Sequence, residues 1–305
     1  MSMKIYISKV NESWVVDRFR KEWYKYNSDI STKFIKRSSN LWIIAPWLWE
    51  KMPIKFLEEK NVVCTIHHID FEKFDKKEEE NFFKLEKFVD KFHAISNKTF
   101  DQLNKLTDKE IHTIPFWINQ NIWFSIDDKS ALRDKFGFSQ NDFLVGSFQR
   151  DTEGYDLKSP KLIKGPDIFL DLIKKMNENK ENLVVVLTGK RRQYLIDNFE
   201  KFGIKYKYFE MKNFKSVNQL YNILDLYIVS SRIEGGPQAI VECGLTKTPI
   251  LSTDVGIASN FLDPKSIYSV NNFFNAETNV DYAYKKSKEI TIPNGMNKFK
   301  EMFRA

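Results

Sequence analysis

The chain has 305 residues, 42% of them apolar, and a formal net charge of +7; at roughly 150 residues per domain that length fits two domains, each able to bury a core. Residues 1–60 hold twelve Lys/Arg against seven Asp/Glu, so the attraction for anionic partners belongs mostly to the N-terminal part. Only Cys64 and Cys243 occur, each inside an apolar run, which excludes a disulfide framework and fits reduced, buried thiols in a cytosolic protein. The start MSMKIYISKVNESW has no apolar run of signal length, and no stretch is long and apolar enough for a membrane span. A cytoplasmic location follows, with any membrane contact peripheral.

Short apolar runs alternate with helical patterns from end to end, the sign of parallel sheets covered by helices. In the first half KIYIS (4–8), LWIIA (41–45), VVCTI (62–66), KFHAI (91–95) and IHTIP (111–115) read as strands. Helices are expected near 12–26, 77–90 and 97–106. The second half repeats the rhythm with strands at 143–148, 183–189, 206–211, 225–230 and 248–253, and helices at about 166–179, 191–202, 215–224 and 237–246. Residues 1–120 thus form one Rossmann-like domain and 142–288 a second. Weak periodicity makes 121–141 a crossing between them, and 289–305 ends in an amphipathic helix that packs back toward the first domain. In WVVDRFRKEWYKY, Val15, Val16, Phe19 and Trp23 share a helical side beside Arg18, Arg20, Lys21 and Lys25. That side reads as core, with an anionic lipid surface as the alternative. The tryptophans of LWIIAPWLWEK read as core or rim packing, unless one is exposed where a ligand binds.

The stretch SSRIEGGPQAIVECGLTKTPILSTDVG, 230–256, places Glu234 and Glu242 in an otherwise apolar setting. The preceding strand, DLYIVS, puts Glu234, Gly235 and Gly236 beyond a strand's carboxyl end, where ligands bind in open α/β sheets. Pro237 suits the start of a helix, whose unpaired N–H groups favour a phosphate or sugar oxygen. Glu242 lies between Val241 and Cys243, where a carboxylate needs a hydrogen-bond partner.

The spacing of the two glutamates in EGGPQAIVE, with the strand before it and the Asp-Val-Gly turn after it, resembles glycosyltransferase family four. FLVGSFQR followed by KGPDIFLDLI resembles the first strand of that family's nucleotide domain and the Lys-Gly that opens the next helix, and VVCTIHHID its strand ending in a histidine. The resemblance implies an α/β protein of the GT-B fold, two Rossmann-like domains facing across a cleft. It implies a retaining, metal-independent transferase that moves a sugar from a nucleoside-diphosphate sugar to a glycan, glycolipid or polysaccharide acceptor, including a lipid-linked one.

The roles implied are ribose binding for Glu242, sugar binding near the reacting centre for Glu234, and diphosphate binding for Lys164, with Arg150 taking the place of the family's arginine. Gly235, Gly236 and Pro237 form the cradle, and His67 or His68 lies near the transferred sugar. No cofactor is expected beyond the donor substrate, and no metal, since the chain has no Asp-x-Asp. Nucleic acid is not expected, because the basic residues are dispersed. The family's Gly-Gly turn after the first strand is missing: SKVNESW stands there, and no glycine precedes Gly137. That departure keeps two alternatives open, a catalytically silent sugar- or nucleotide-binding subunit and a GT-B nucleotide-sugar epimerase.

Overall fold

The computed structural model describes residues 3–10, 15–155 and 157–304. The chain divides into two compact units, Met1–Trp117 with Ile292–Ala305, and Ile118–Thr291. In the first, β1 (Ile5–Ile7), α1 (Val15–Tyr26), β2 (Asn40–Ile43), α2 (Ile54–Glu59), β3 (Asn61–Ile66), α3 (Lys76–Glu86), β4 (Lys91–Ala94), α4 (Asn97–Leu103) and β5 (Ile111–Thr113) follow in turn. The strands form a parallel sheet in the order β1-β2-β3-β4-β5. Helix starts are fixed by local chemistry: the Asp75 carboxylate accepts the Lys77 and Glu78 N–H groups, and Ser96 Oγ accepts that of Thr99. These caps satisfy amides that the helix itself leaves unpaired.

Val16, Phe19 and Trp23 of α1 are buried in this unit's core. The side weighed for a lipid surface is therefore core. The expected helix start at 12–14 and residues 11–14 of SKVNESW lie outside the described residues. A polar chain crosses the same core: Trp42 Nε1 donates to Thr65 Oγ1 (2.8 Å), which is 2.9 Å from His93 Nδ1, while His93 Nε2 donates to the Ile114 carbonyl (2.7 Å). With Nε2 carrying the proton, Nδ1 accepts from the threonine, and the imidazole is neutral. Burial pulls its pKa down to about 3.

The second unit holds α5 (Lys129–Phe136), β6 (Phe143–Ser147), the small hairpin β7 (Thr152–Glu153) and β8 (Ser159–Pro160), then α6 (Pro166–Asn177), β9 (Leu183–Thr188), α7 (Gln193–Phe202), β10 (Tyr206–Phe209) and α8 (Phe214–Ile223). It continues with β11 (Leu226–Val229), α9 (Gln238–Thr246), β12 (Ile250–Thr253), α10 (Ala258–Phe261), β13 (Ile267–Tyr268) and α11 (Val280–Glu289). The large sheet is parallel, in the order β10-β9-β6-β11-β12-β13. Alternate residues of its strands serve two cores: Leu144, Val184, Val186, Tyr227 and Val229 on one face, Val145, Val185, Leu187, Leu226 and Ile228 on the other. Apolar residues at both phases are what a sheet covered on both faces requires.

The stretch 121–141 belongs to this unit rather than forming a separate crossing, because α5 and the residue after its cap bury Leu132 and Phe138 in its core. Helix α11, absent from the sequence-based expectation, packs on α9, where a methyl group on Gly244 would meet Ser287 Oγ at 2.1 Å. Only a glycine lets these helices approach so closely. The chain then returns to the first unit as α12 (Asn297–Arg304), whose Phe299 and Phe303 sit among Trp23, Trp42 and Trp117. Among the described residues, no helix is long and apolar enough to cross a membrane.

Candidate functional site

In the second unit the strand order reverses between β6 and β11: β9 and β10 build outward from one, β12 and β13 from the other. A parallel sheet opens a crevice at the carboxyl ends of the two strands flanking such a switch. The chain fills that place with polar side chains. Gln149 follows β6 and donates through Nε2 to the Lys164 carbonyl (2.8 Å), which Ser230 Oγ after β11 also reaches at 3.3 Å. Lys164 Nζ lies 2.7 Å from Glu234 Oε1, and Ser231 Oγ is 2.6 Å from the same oxygen and 3.1 Å from Gln149 Oε1. One lysine, one carboxylate, a serine and a glutamine are thus held together by contacts to one another.

Glycines permit this assembly. At Gly165, φ is +61°, and an added Cβ would stand 1.8 Å from the Ser230 carbonyl oxygen. The backbone leading into α6 therefore lies directly against the end of β11, and the Arg232 and Ile233 N–H groups donate to the Ile163 carbonyl. Gly256, at φ +53°, leaves room for Gly235 in the same way, its Cβ position being 2.3 Å from the Gly235 oxygen. Gly235 and Pro237 are buried and Gly236 is half-buried. Helix α9 starts at Gln238, with Pro237 as its cap residue.

Glu242 lies one turn into α9, 8% exposed, and its Oε2 accepts the Tyr221 hydroxyl at 2.9 Å. The partner that a buried carboxylate demands is thus supplied in part by α8. Burial, reinforced by the Glu242 charge, pushes the Tyr221 phenol well above its ordinary value, so it remains a donor. Tyr221 packs against Phe148 (ring centroids 4.7 Å) and Trp123 (5.7 Å). These rings fix where the carboxylate points.

A second cation stands at the ends of β6 and β9. Arg192 is fully buried, pairs with Asp151 (Nε to Oδ2, 2.8 Å) and donates through Nη1 to the Ser147 and Thr188 carbonyls. Burial pulls the arginine down and pushes the Asp151 carboxyl up, each opposed by the other's charge. Arg150, in contrast, is exposed and forms no hydrogen bond or ion pair among the described residues. An open depression of about 610 Å³ borders the cluster, lined in part by Asp167, Asp171, Ser231, Arg232 and Asp254. Within this lining the Arg232 guanidinium pairs with Asp167 (Nη2 to Oδ2, 2.6 Å).

The first unit holds the remaining candidates. His67 follows β3, half-buried, its Nε2 donating to the Ile44 carbonyl (3.0 Å) and its ring stacked on Phe116 (6.1 Å). Burial lowers its pKa to about 4, so it is neutral near pH 7. His68 beside it is exposed. Among the described residues, no three His, Cys, Asp or Glu side chains gather as a metal site.

Lys164, Glu234 and Glu242 carry signals in the sequence, through the Lys-Gly step and the glutamate spacing. Gln149 and Tyr221 carry none, because their roles come from the end of one strand and the phase of a helix that only packing decides. Arg192, in the run KRR after β9, is buried and paired with Asp151.

A parallel α/β sheet with carboxylates and a lysine at its switch point has its polar groups where such sheets bind ligands. Residues 159–291 match the family of glycosyl transferases group 1. No curated protein sequence matches the chain. Among solved structures, Anabaena HepE in complex with UDP and glucose is 14% identical, with 100% of both chains covered and a TM-score of 0.76. The sucrose-phosphate synthase of Thermosynechococcus elongatus is 11% identical over 95% of this chain and 76% of its own, with a TM-score of 0.71. The pneumococcal O-GlcNAc transferase GtfA, bound to UDP and GlcNAc, is 12% identical over 95% and 59%, with a TM-score of 0.63. The fold is that of the GT-B glycosyltransferases.

Proposed function

We propose that the protein transfers a sugar from a nucleoside-diphosphate sugar, with retention at the anomeric carbon and without a metal ion, to a glycan or lipid-linked acceptor. The observation that carries this reading is the Lys164–Glu234 pair at the switch point, 2.7 Å apart, with Glu242 on the helix that follows. The similar HepE and GtfA structures hold UDP, and a uridine donor is the first to test.

On this reading Glu242, oriented by Tyr221, accepts ribose hydroxyls. Glu234 holds hydroxyls of the transferred sugar, and the start of α9 receives a sugar or phosphate oxygen. Lys164 and those amides meet the charge that builds on the leaving diphosphate, the task a metal performs in other transferases. In a retaining transfer the bond from the anomeric carbon to the diphosphate oxygen breaks on the face where the acceptor oxygen bonds. The acceptor's proton passes to the departing oxygen. His67, neutral at pH 7, serves as a hydrogen-bonding group rather than as a cation.

The test is release of nucleoside diphosphate from UDP-glucose and UDP-N-acetylglucosamine in the presence of EDTA, with the product anomer assigned by proton NMR. Turnover that survives EDTA, keeps the donor's configuration and drops by roughly 10²-fold or more in Glu234→Gln is the expected result. An inverted product or loss of turnover on chelation refutes the corresponding part. Binding without turnover under any condition makes the chain a silent subunit.

A further inference from the structure

We infer that Trp47 is the platform on which the acceptor lays a sugar ring, which makes the acceptor a glycoside or glycan rather than a simple alcohol or phosphate; this rests on the transferase reading above. Three tryptophans crowd the stretch LWIIAPWLWEK, and the structure gives them different fates. Trp42 is fully buried, and Trp49 packs on Phe88. Trp47 keeps 45% of its surface exposed.

Its position makes that exposure significant. Trp47 belongs to the short turn Pro46–Lys51 just past the carboxyl end of β2, on the edge of a parallel sheet where ligands bind. Beside it, past the end of β3, lies the His67 ring, with centroids 6.4 Å apart and planes inclined by 34°. The next residue, His68, is exposed. A half-open indole next to ring nitrogens suits a sugar: the apolar C–H face covers the electron-rich aromatic face, while hydroxyls meet polar groups at the rim.

The surface is also preorganised. Leu48 is buried below the turn. The His67 side chain is tied to the Ile44 carbonyl, the His67 carbonyl accepts Thr99 Oγ1 at 3.0 Å, and Gln102 bonds both the N–H and the carbonyl of Ile69. Loops held at this many points lose little freedom when a ligand arrives.

The experiment uses full-length protein labelled with 5-fluorotryptophan, with the Trp47 fluorine resonance assigned by its disappearance in Trp47→Phe. Methyl pyranosides of glucose, galactose, mannose and N-acetylglucosamine are titrated, with open-chain mannitol as control. A saturable shift of the Trp47 resonance with at least one pyranoside, and none with mannitol, is expected. With that pyranoside as acceptor, Trp47→Ala should raise its KM roughly tenfold, leave nucleotide affinity unchanged and be largely rescued by Trp47→Phe. A Trp47 resonance unmoved by every pyranoside, or an unchanged acceptor KM in Trp47→Ala at wild-type melting temperature, overturns the proposal. If the pyranoside shifts the resonance while no nucleotide binds, it is the donor reading that fails.

Discussion

A methyl group at Gly165 has nowhere to go, since the Ser230 carbonyl oxygen occupies its place and φ is +61°. Gly165→Ala should therefore cost roughly 2 kcal/mol or more in urea unfolding and remove nucleotide-induced stabilisation, because Lys164 is displaced with it. Milder and more specific is Tyr221→Phe, which deletes only the hydroxyl that holds Glu242 Oε2. Loss of one hydrogen bond to a buried carboxylate predicts about 1.5–3 kcal/mol of lost stability, together with weaker nucleotide binding by calorimetry. If Tyr221→Phe binds nucleotide as tightly as wild type, Tyr221 does not orient a ligand-binding Glu242. The glutamates were legible because acids in an apolar context are conspicuous; Tyr221 was not, since a tyrosine on an amphipathic helix looks like any other core residue.

At the scale of elements, two fastenings stand out. The buried Arg192–Asp151 pair links the ends of β6 and β9 with the hairpin β7–β8. Burying two charges brings little net gain, but removing one partner leaves the other stranded. Arg192→Met should thus cost about 3–5 kcal/mol, while a double replacement of Arg192 and Asp151 by apolar residues costs less than either single change. The other fastening is α12, whose Phe299 is fully buried in the first unit. Phe299→Ala should lose about 3–5 kcal/mol, measured by chemical unfolding of that unit. The ten strands of the two large sheets that were read from apolar runs all form, because continuous apolar stretches have few other solutions. Helices α5 and α11 escaped notice for the opposite reason: each buries only one or two small faces, Leu132 in one and Ala283 with Ser287 in the other, too few to set a period against their many charges.

Over the whole molecule, the two units should respond differently to acid. His67 and His93 both belong to the first unit, and burial lowers them to about 4 and about 3. Below pH about 6.5 the unfolded chain takes up these protons and the folded one does not, so stability is full above that pH and falls toward pH 3, by up to about 1.4 kcal/mol per unit for each histidine. Six of the seven tryptophans lie in the first unit, so tryptophan fluorescence should report its acid unfolding, and His93→Gln should flatten the pH dependence. The GT-B fold was legible through the alternation of strands and helices and one 27-residue motif context, whereas the acceptor surface proposed at Trp47 rests on which aromatic ring faces solvent, a property no spacing encodes. The central claim is that Lys164, Glu234 and Glu242 form the donor site of a nucleotide-sugar transferase. It is tested most directly by calorimetric titration of UDP, GDP, ADP and CMP into the wild type and Glu242→Ala. One nucleotide that binds the wild type selectively and loses roughly tenfold or more in affinity in the variant is the predicted result; binding that is equal in both proteins, or no binding at all, contradicts it.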